Sequence, residues 1–506
     1  MVGPYAPQIH EGDFIGGRFV PVDVADGEYE VRCPADLNEV LHRVAYCRGH
    51  VDLALAAASH GQRELWAMGM EGRKQLLRSY QSALRNHHNA IASTIALEIG
   101  KPLWEAKTEV DAMIAKVDLA LGPGAAFTQN QSIAQLPGEI RYRPLGTIAV
   151  VGPFNFPGHL PNGHIVPALL LGNSVIFKPS EHAPGTATWI ARCLQEAGCP
   201  TGAFNVVHGD GLMGKQLCSH DAVDGVLFTG SVRVGRDIVA SNLSRLDKLI
   251  ALEMGGKNAA IAFDDCDLER TARMVAYSAY VTAGQRCTAS SRLIVTAGVA
   301  NALCERISEI GRTLKVGHPL AQDVFMGPVI AQKTMQKLMD ATAAARAAGA
   351  SPLLFGGHAG HVTHRGHYVL PSLHRFDDPQ THVEGYTDEE LFGPDLAVYV
   401  VENEEDAWQL ANGSRFGLSA SVFTASKQRF ERGCEQLRVG VVHWNRPGAG
   451  ASGRLPFSGL KASGNHRPAG ILAGTTCSYP QAVLLPREEA SNSALPTWPG
   501  FAAEGD

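Results

Sequence analysis

The chain has 506 residues, enough for two to four domains. Hydrophobic residues make up 45% and charged residues 19%, a globular balance that excludes a disordered or fibrous chain. Lys and Arg number 44 against 50 Asp and Glu, a net charge of -6, which leaves no basic surface for nucleic acid.

The opening MVGPYAPQIHEGDF has neither the basic nor the apolar region of a signal peptide. No apolar run approaches the roughly 18 residues that a membrane span needs. Ten cysteines are scattered without a CxxC pair, a usage that suits a reducing cytoplasm better than a disulfide framework or a zinc knuckle. A cytoplasmic protein with no membrane partner and no metal site is expected.

Residues 50–120 read as helices, with apolar positions at three- and four-residue spacing. From Gly146 the rhythm changes. GTIAVVGPF, NSVIFKPSE, AFNVVHGD, DGVLFTGS and KLIALEMGG are short apolar runs separated by helical stretches. That is the pattern of strands buried on both faces and joined by right-handed crossovers, and it predicts a doubly wound parallel sheet over 146–255. A second α/β stretch begins near Gly256, with SRLIVTAG, GHYVLPSLH, DLAVYVVEN, LSASVFTA and VGVVHWN as its strands. GEIRYRPLG at 138–146 and TTCSYPQAVLLP at 475–486 fall outside both sheets. Lacking local partners, they are candidates for a small protruding sheet or for pairing across subunits. The last stretch, EEASNSALPTWPGFAAEGD, reads as a loose tail.

Several positions in these segments can carry chemistry, and each has a plainer structural alternative. Asn155 lies between two phenylalanines and two prolines in GPFNFPGHLP, where a rigidly held amide can face developing negative charge; otherwise it is a turn residue. Lys178 and Glu181 follow a strand end in NSVIFKPSE, where open α/β sheets bind ligands. FTGSVRVG places Gly230, Ser231, Val232, Arg233, Val234 and Gly235 between a strand and a helix, a βα turn or a phosphate site. Glu253 ends the apolar run in ALEMGGKN, and a carboxyl in apolar surroundings has the raised pKa of a general base. Cys287 sits among small and polar residues in TAGQRCTASSR, where Arg286 can favour a thiolate; the alternative is a buried structural thiol. GGHAGHVTHRGHY carries histidines 358, 361, 364 and 367 and reads as a solvated loop.

Taken in order, GPFNFP, FKPSE, FTGS, LEMGGKN, GQRC, ELFGP, GLSASVF and PFSGLKASG resemble the NAD(P)-dependent aldehyde dehydrogenase superfamily across residues 15–485. The resemblance implies an α/β subunit. A Rossmann-type NAD-binding domain would span 1–123 and 146–254, and a catalytic α/β domain 255–452. Oligomerisation strands would occupy 124–145 and 470–490, followed by a tail over 491–506. It also implies roles: Cys287 as nucleophile, Glu253 as general base, and Asn155 with the Cys287 backbone N–H as oxyanion donors. Lys178 and Glu181 would hold the adenosine ribose, Gly230 to Gly235 the pyrophosphate, and Glu390 and Phe392 of ELFGP the nicotinamide ribose and ring. The cofactor is expected to be NAD, since a carboxylate at Glu181 would repel a 2′-phosphate, and the assembly a homodimer or homotetramer.

GHLPNGH and SGNHRP resemble more narrowly the branch that oxidises N-succinylglutamate 5-semialdehyde in arginine catabolism. That likeness implies a small-molecule substrate bearing several carboxylates. Arg446, Arg454, His466 and Arg467 are candidates to bind them or to brace the C-terminal loops. Another semialdehyde is the alternative substrate, and a non-enzymatic protein on this fold the distant one. The usual PFGG reads PFSG here, with Ser458 in place of glycine.

Overall fold

Ile148, Ala149 and Val150 are fully buried because the strand Thr147–Val151 lies in mid-sheet, between Ser174–Lys178 and Gly225–Gly230. The computed structural model describes residues 11–134 and 137–485; the expected tail lies outside the described residues, as does the end of the 475–486 run. Leu249–Met254, Gly225–Gly230, Thr147–Val151, Ser174–Lys178 and Phe204–Val206 form the parallel part of the first sheet, in that order. From Thr147–Val151 the chain crosses to one side, and it later returns on the other. The carboxyl ends of these strands therefore face the crevice where doubly wound sheets bind ligands.

The predicted helices are His50–Ala67, Gly69–Asn86, His88–Ile99 and Leu103–Leu121. Leu65, Leu77, Tyr80, Ile95, Val110 and Met113 from them share one core with Ile148, Val150, Val175 and Phe177. Two antiparallel strands missing from the sequence reading, Asp13–Ile15 and Arg18–Val20, extend the sheet past Phe204–Val206. Their signal is Gly16-Gly17 between two short apolar runs, a two-residue hairpin turn.

The second sheet runs Ser351–Phe355, Ser372–Phe376, Asp395–Val401, Ser290–Thr296, Asn258–Ala262, Ser419–Phe423 and Val441–Trp444. All neighbours are parallel except the edge pair Ser351–Phe355 and Ser372–Phe376. Two differences from expectation stand out. Asn258–Ala262 is a central, wholly buried strand, too short and too soon after a Gly-Gly turn to register as one. The strand expected from GHYVLPSLH is confined to Ser372–Phe376, because Pro371 has no N–H for the ladder.

Gly138–Pro144 pairs antiparallel with Ser478–Leu484, from Pro144 against Ser478 to Gly138 against Leu484, and Gln131–Ser132 adds a third strand. The histidine-rich segment is largely irregular, and His364 Nδ1 lies 3.3 Å from Asp36. Beside it Cys33, Glu39 and His318 bring one potential ligand atom each within 4.8 Å of one another. Among the described residues no helix is long and apolar enough to cross a membrane.

Candidate active site

A cleft of about 860 Å³ opens between the two sheets, and Asn155, Glu253 and Cys287 all line it. Glu253 stands near the carboxyl end of Leu249–Met254, whose outer edge is closed by the segment Ser463–Asn465. The Asn465 side chain accepts from the Leu252 N–H at 2.9 Å and donates to the Ile250 carbonyl at 2.8 Å. The Ser463 carbonyl accepts from the Met254 N–H at 2.9 Å. The SGN of SGNHRP thus serves as a sheet edge that fixes the strand carrying Glu253. Both Glu253 carboxyl oxygens are buried without a hydrogen-bond partner. Burial pushes this carboxyl well above the usual carboxylate range.

Cys287 follows a strained turn. Thr282, Ala283 and Gly284 have φ of +59°, +52° and +68°, a left-handed run that costs roughly 1–3 kcal/mol at each of the two non-glycine positions unless the surroundings enforce it. They do. Thr282 Oγ1 donates to the buried Glu105 carboxylate, while Arg286 donates to Thr282 Oγ1 at 2.7 Å and to Glu105 at 2.9 Å. Gln285 Oε1 accepts from the Ile330 N–H at 2.9 Å. The Cys287 carbonyl accepts from Asn258 at 2.7 Å, and a Cβ on Gly256 would stand 2.7 Å from that oxygen. The second glycine of LEMGG is there for this close approach.

The thiol itself is pushed up to about 12, by burial first and then by the nearby Glu390 and Glu253. Arg286 does pull the thiol downward, as expected, but less than burial and the two carboxyls push it up. The Arg286 guanidinium is also paired with Glu105. Among the described residues the Cys287 backbone N–H has no acceptor.

Asn155 is buried, donates through Nδ2 to the Gln285 carbonyl at 2.8 Å, and accepts on its own carbonyl from Lys101 Nζ at 2.6 Å. Lys101 pairs with Glu109 at 2.7 Å, both fully buried, and Glu109 accepts from the Gly158 and His159 N–H groups at 2.9 and 3.1 Å. Lys101, Glu105 and Glu109 were not singled out from the sequence. The signal was present: Glu105 and Glu109 fall on the same helical face as the buried Ala106, Val110, Met113 and Val117.

The expected cofactor residues gather at the strand ends. Gly230, Ser231, Val232 and Arg233 line the cleft, as do Glu390 and Phe392. Ser231 caps the helix Val232–Ala240 by accepting from the Val234 N–H at 3.4 Å, so the preceding amides remain free for an anion. Gly235 is buried under Met254, and Val234 packs beside it; neither lines the cleft. Lys178 and Glu181 also lie outside its lining, at the end of the strand Ser174–Lys178, with Lys178 Nζ 3.2 Å from Glu181. Glu390 accepts from the Gly256 N–H at 2.9 Å, and burial raises its carboxyl to about 7. A Cβ on Gly255 would stand 2.0 Å from its other oxygen, which accounts for the first glycine of LEMGG. Phe392 holds φ at +54° and meets the Phe154 ring edge-on at 5.7 Å. Strand ends at a switch point, free helix amides and a buried carboxyl fit a dinucleotide.

Arg446, Arg454, His466 and Arg467 do not line the cleft. All four are exposed, on irregular chain after the last strand of the second sheet. The wall instead presents Lys116, which reads as one more position of a helix, and His159 and His164, the two histidines of GHLPNGH.

A model of the aldehyde dehydrogenase family matches residues 22–483. The chain is 40% identical to an N-succinylglutamate 5-semialdehyde dehydrogenase of Chromobacterium violaceum over 490 residues, 96% of this chain and 97% of that one. It is 39% identical to the protein of the same name from Novosphingobium aromaticivorans over 438 residues, 86% of this chain and 92% of that one. A crystal structure of an NAD-dependent aldehyde dehydrogenase from Sinorhizobium meliloti superposes with a TM-score of 0.89 at 29% identity, covering 95% of this chain and 96% of that one. A 1-pyrroline-5-carboxylate dehydrogenase from Thermus with bound NAD gives 0.87 at 27% identity, covering 94% and 92%.

Proposed function

This chain belongs to the aldehyde dehydrogenase family, and on that footing we propose that it oxidises N-succinylglutamate 5-semialdehyde to N-succinylglutamate with NAD. The observation that carries the chemistry is the meeting of Cys287, Glu253 and Asn155 in one cleft with the strand ends of the first sheet. The substrate comes from the two relatives of that name, which match nearly the whole chain.

Cys287 rests as a thiol and must lose its proton to attack the carbonyl carbon. That proton passes to water in the cleft, and Glu253, a carboxyl made more basic by its apolar setting, serves the later hydrolysis. The tetrahedral oxyanion that forms is held by the second N–H of the Asn155 amide and by the Cys287 backbone N–H. Such donors are worth about 2.7–4 kcal/mol each. Bound nicotinamide would take up hydride from this adduct, converting it to a thioester. In the hydrolysis Glu253, as the carboxylate, takes a proton from a water whose oxygen bonds to the thioester carbon; the C–S bond then breaks, releasing the acid and the Cys287 thiolate.

Gly230 to Arg233 would receive the pyrophosphate, Lys178 and Glu181 the adenosine ribose, and Glu390 and Phe392 the nicotinamide end. Glu181, already within 3.2 Å of Lys178, would accept from ribose hydroxyls and repel a 2′-phosphate, which supports NAD over NADP. The sheet of Gln131–Ser132, Gly138–Pro144 and Ser478–Leu484, with Tyr479 and Leu484 exposed on it, supports a homo-oligomer. Ten free cysteines support the cytoplasm.

A panel of semialdehydes assayed with NAD and with NADP tests the proposal. It requires the highest kcat/KM for N-succinylglutamate 5-semialdehyde with NAD. Preference for another aldehyde contradicts the substrate, and preference for NADP contradicts the role of Glu181.

A further inference from the structure

The helix Leu103–Leu121 sends Thr108, Ala112 and Lys116 into the cleft on successive turns. Lys116 alone of the three carries charge. Among the described residues its ammonium has no hydrogen-bond or ion-pair partner. Small residues surround it: a Cβ on Gly163 would stand 3.3 Å from Nζ, and one on Gly453 3.5 Å. His159 and His164, on the following helix, line the same wall, and His159 Nδ1 is buried without a partner.

The nearby carboxylates are already committed. Glu109 is held by Lys101 and two backbone N–H groups. Glu105 is held by Arg286 and Thr282. Burial disfavours the charged form of Glu253. The uncommitted charge on this wall is therefore positive. Burial lowers the Lys116 ammonium to about 8 and the His164 imidazole to about 4, and it takes His159 well below the ordinary imidazole range. At neutral pH the wall offers one ammonium and two neutral imidazoles. A desolvated cation without a counter-ion is unfavourable, and an entering anion relieves it through a charge-assisted hydrogen bond.

We infer that Lys116, with His159 and His164, forms the far end of the substrate cleft and binds the carboxylate remote from the reacting aldehyde. This rests on the proposed acidic-tailed substrate. It makes Lys116 a specificity-determining residue: an uncharged aldehyde leaves the ammonium unpaired, and a carboxylated one fills the site.

The test compares wild type, Lys116→Met and Lys116→Arg with N-succinylglutamate 5-semialdehyde, succinate semialdehyde and hexanal. Lys116→Met is expected to raise KM for the carboxylated aldehydes roughly 10- to 100-fold, the range lost with one hydrogen bond to a charged group. Their kcat and the kcat/KM for hexanal should stay close to wild type, and Lys116→Arg should recover part of the loss. Equal losses with all three aldehydes, or no change with the carboxylated ones, overturn the inference. Calorimetric binding of N-succinylglutamate, which needs no turnover, should weaken to the same degree in Lys116→Met; equal binding also overturns it. If wild type uses succinate semialdehyde and not N-succinylglutamate 5-semialdehyde, the proposed substrate falls and the Lys116 comparison is read on succinate semialdehyde. If wild type prefers hexanal to both carboxylated aldehydes, the Lys116 site falls and the cysteine chemistry stands.

Discussion

The Asn155 side chain donates to the Gln285 carbonyl at 2.8 Å, so the amide proposed to face the oxyanion also anchors the loop that presents Cys287. One N–H fixes the turn and the other is left for the reacting oxygen. Asn155→Ala should therefore lose both functions. We expect kcat to fall roughly 100- to 1000-fold, the loss typical of one oxyanion donor. Steady-state kinetics beside a thermal melt separate the two, since the structural bond alone is worth only about 1 kcal/mol of stability.

The Cys287 thiol, raised to about 12, sets a pH signature. The thiolate fraction grows tenfold per pH unit below the pKa. Alkylation of Cys287 by iodoacetamide in the absence of cofactor should accelerate from pH 7 to pH 10 without reaching a plateau. Peptide mapping of the modified residue reads this directly. A plateau near pH 7 would contradict the raised thiol.

Glu390, raised to about 7 by burial, links stability to pH. Between the unfolded value of 4.5 and about 7, the native state keeps a proton that the unfolded state has lost. Stability then falls as pH rises through that window and is level above it. Glu390→Gln carries no such penalty. Its melting temperature relative to wild type should rise from pH 4.5 to about 7 and stay constant beyond, in a series of thermal melts without cofactor.

Glu105 holds the catalytic turn from beneath. Glu105→Ala removes the acceptor of Thr282 and leaves Arg286 charged and largely buried. Breaking such a pair costs about 3–5 kcal/mol. Urea denaturation should show a loss of that order, together with a fall in kcat, although Glu105 does not line the cleft.

The two sheets were legible where strands are buried on both faces, since Ile148–Val150 and Val226–Phe228 read as unbroken apolar runs. The Asn258–Ala262 strand was not, because its three alanines carry little β signal. Cys287, Glu253 and Asn155 were legible because the close approaches around them demand distinctive neighbours: Gly255 against Glu390 and Gly256 against the Cys287 carbonyl. Lys101, Glu105, Glu109 and Lys116 were not, because charges in a helical pattern ordinarily mark its solvent face, and only the packed partner shows that this face turns inward. Arg446, Arg454, His466 and Arg467 were drawn to the site by nearness in sequence to motifs whose work is structural, as Asn465 shows by closing the edge of the strand that bears Glu253.

The claim on which the rest depends is covalent capture by one sulfur, and Glu253→Gln isolates it. Mixed with N-succinylglutamate 5-semialdehyde and NAD, this variant should release a burst of about one NADH per site and then stall. Intact-protein mass spectrometry should find the acyl group, and peptide mapping should place it on Cys287. Absence of both burst and adduct, or an adduct on any other cysteine, would contradict the account.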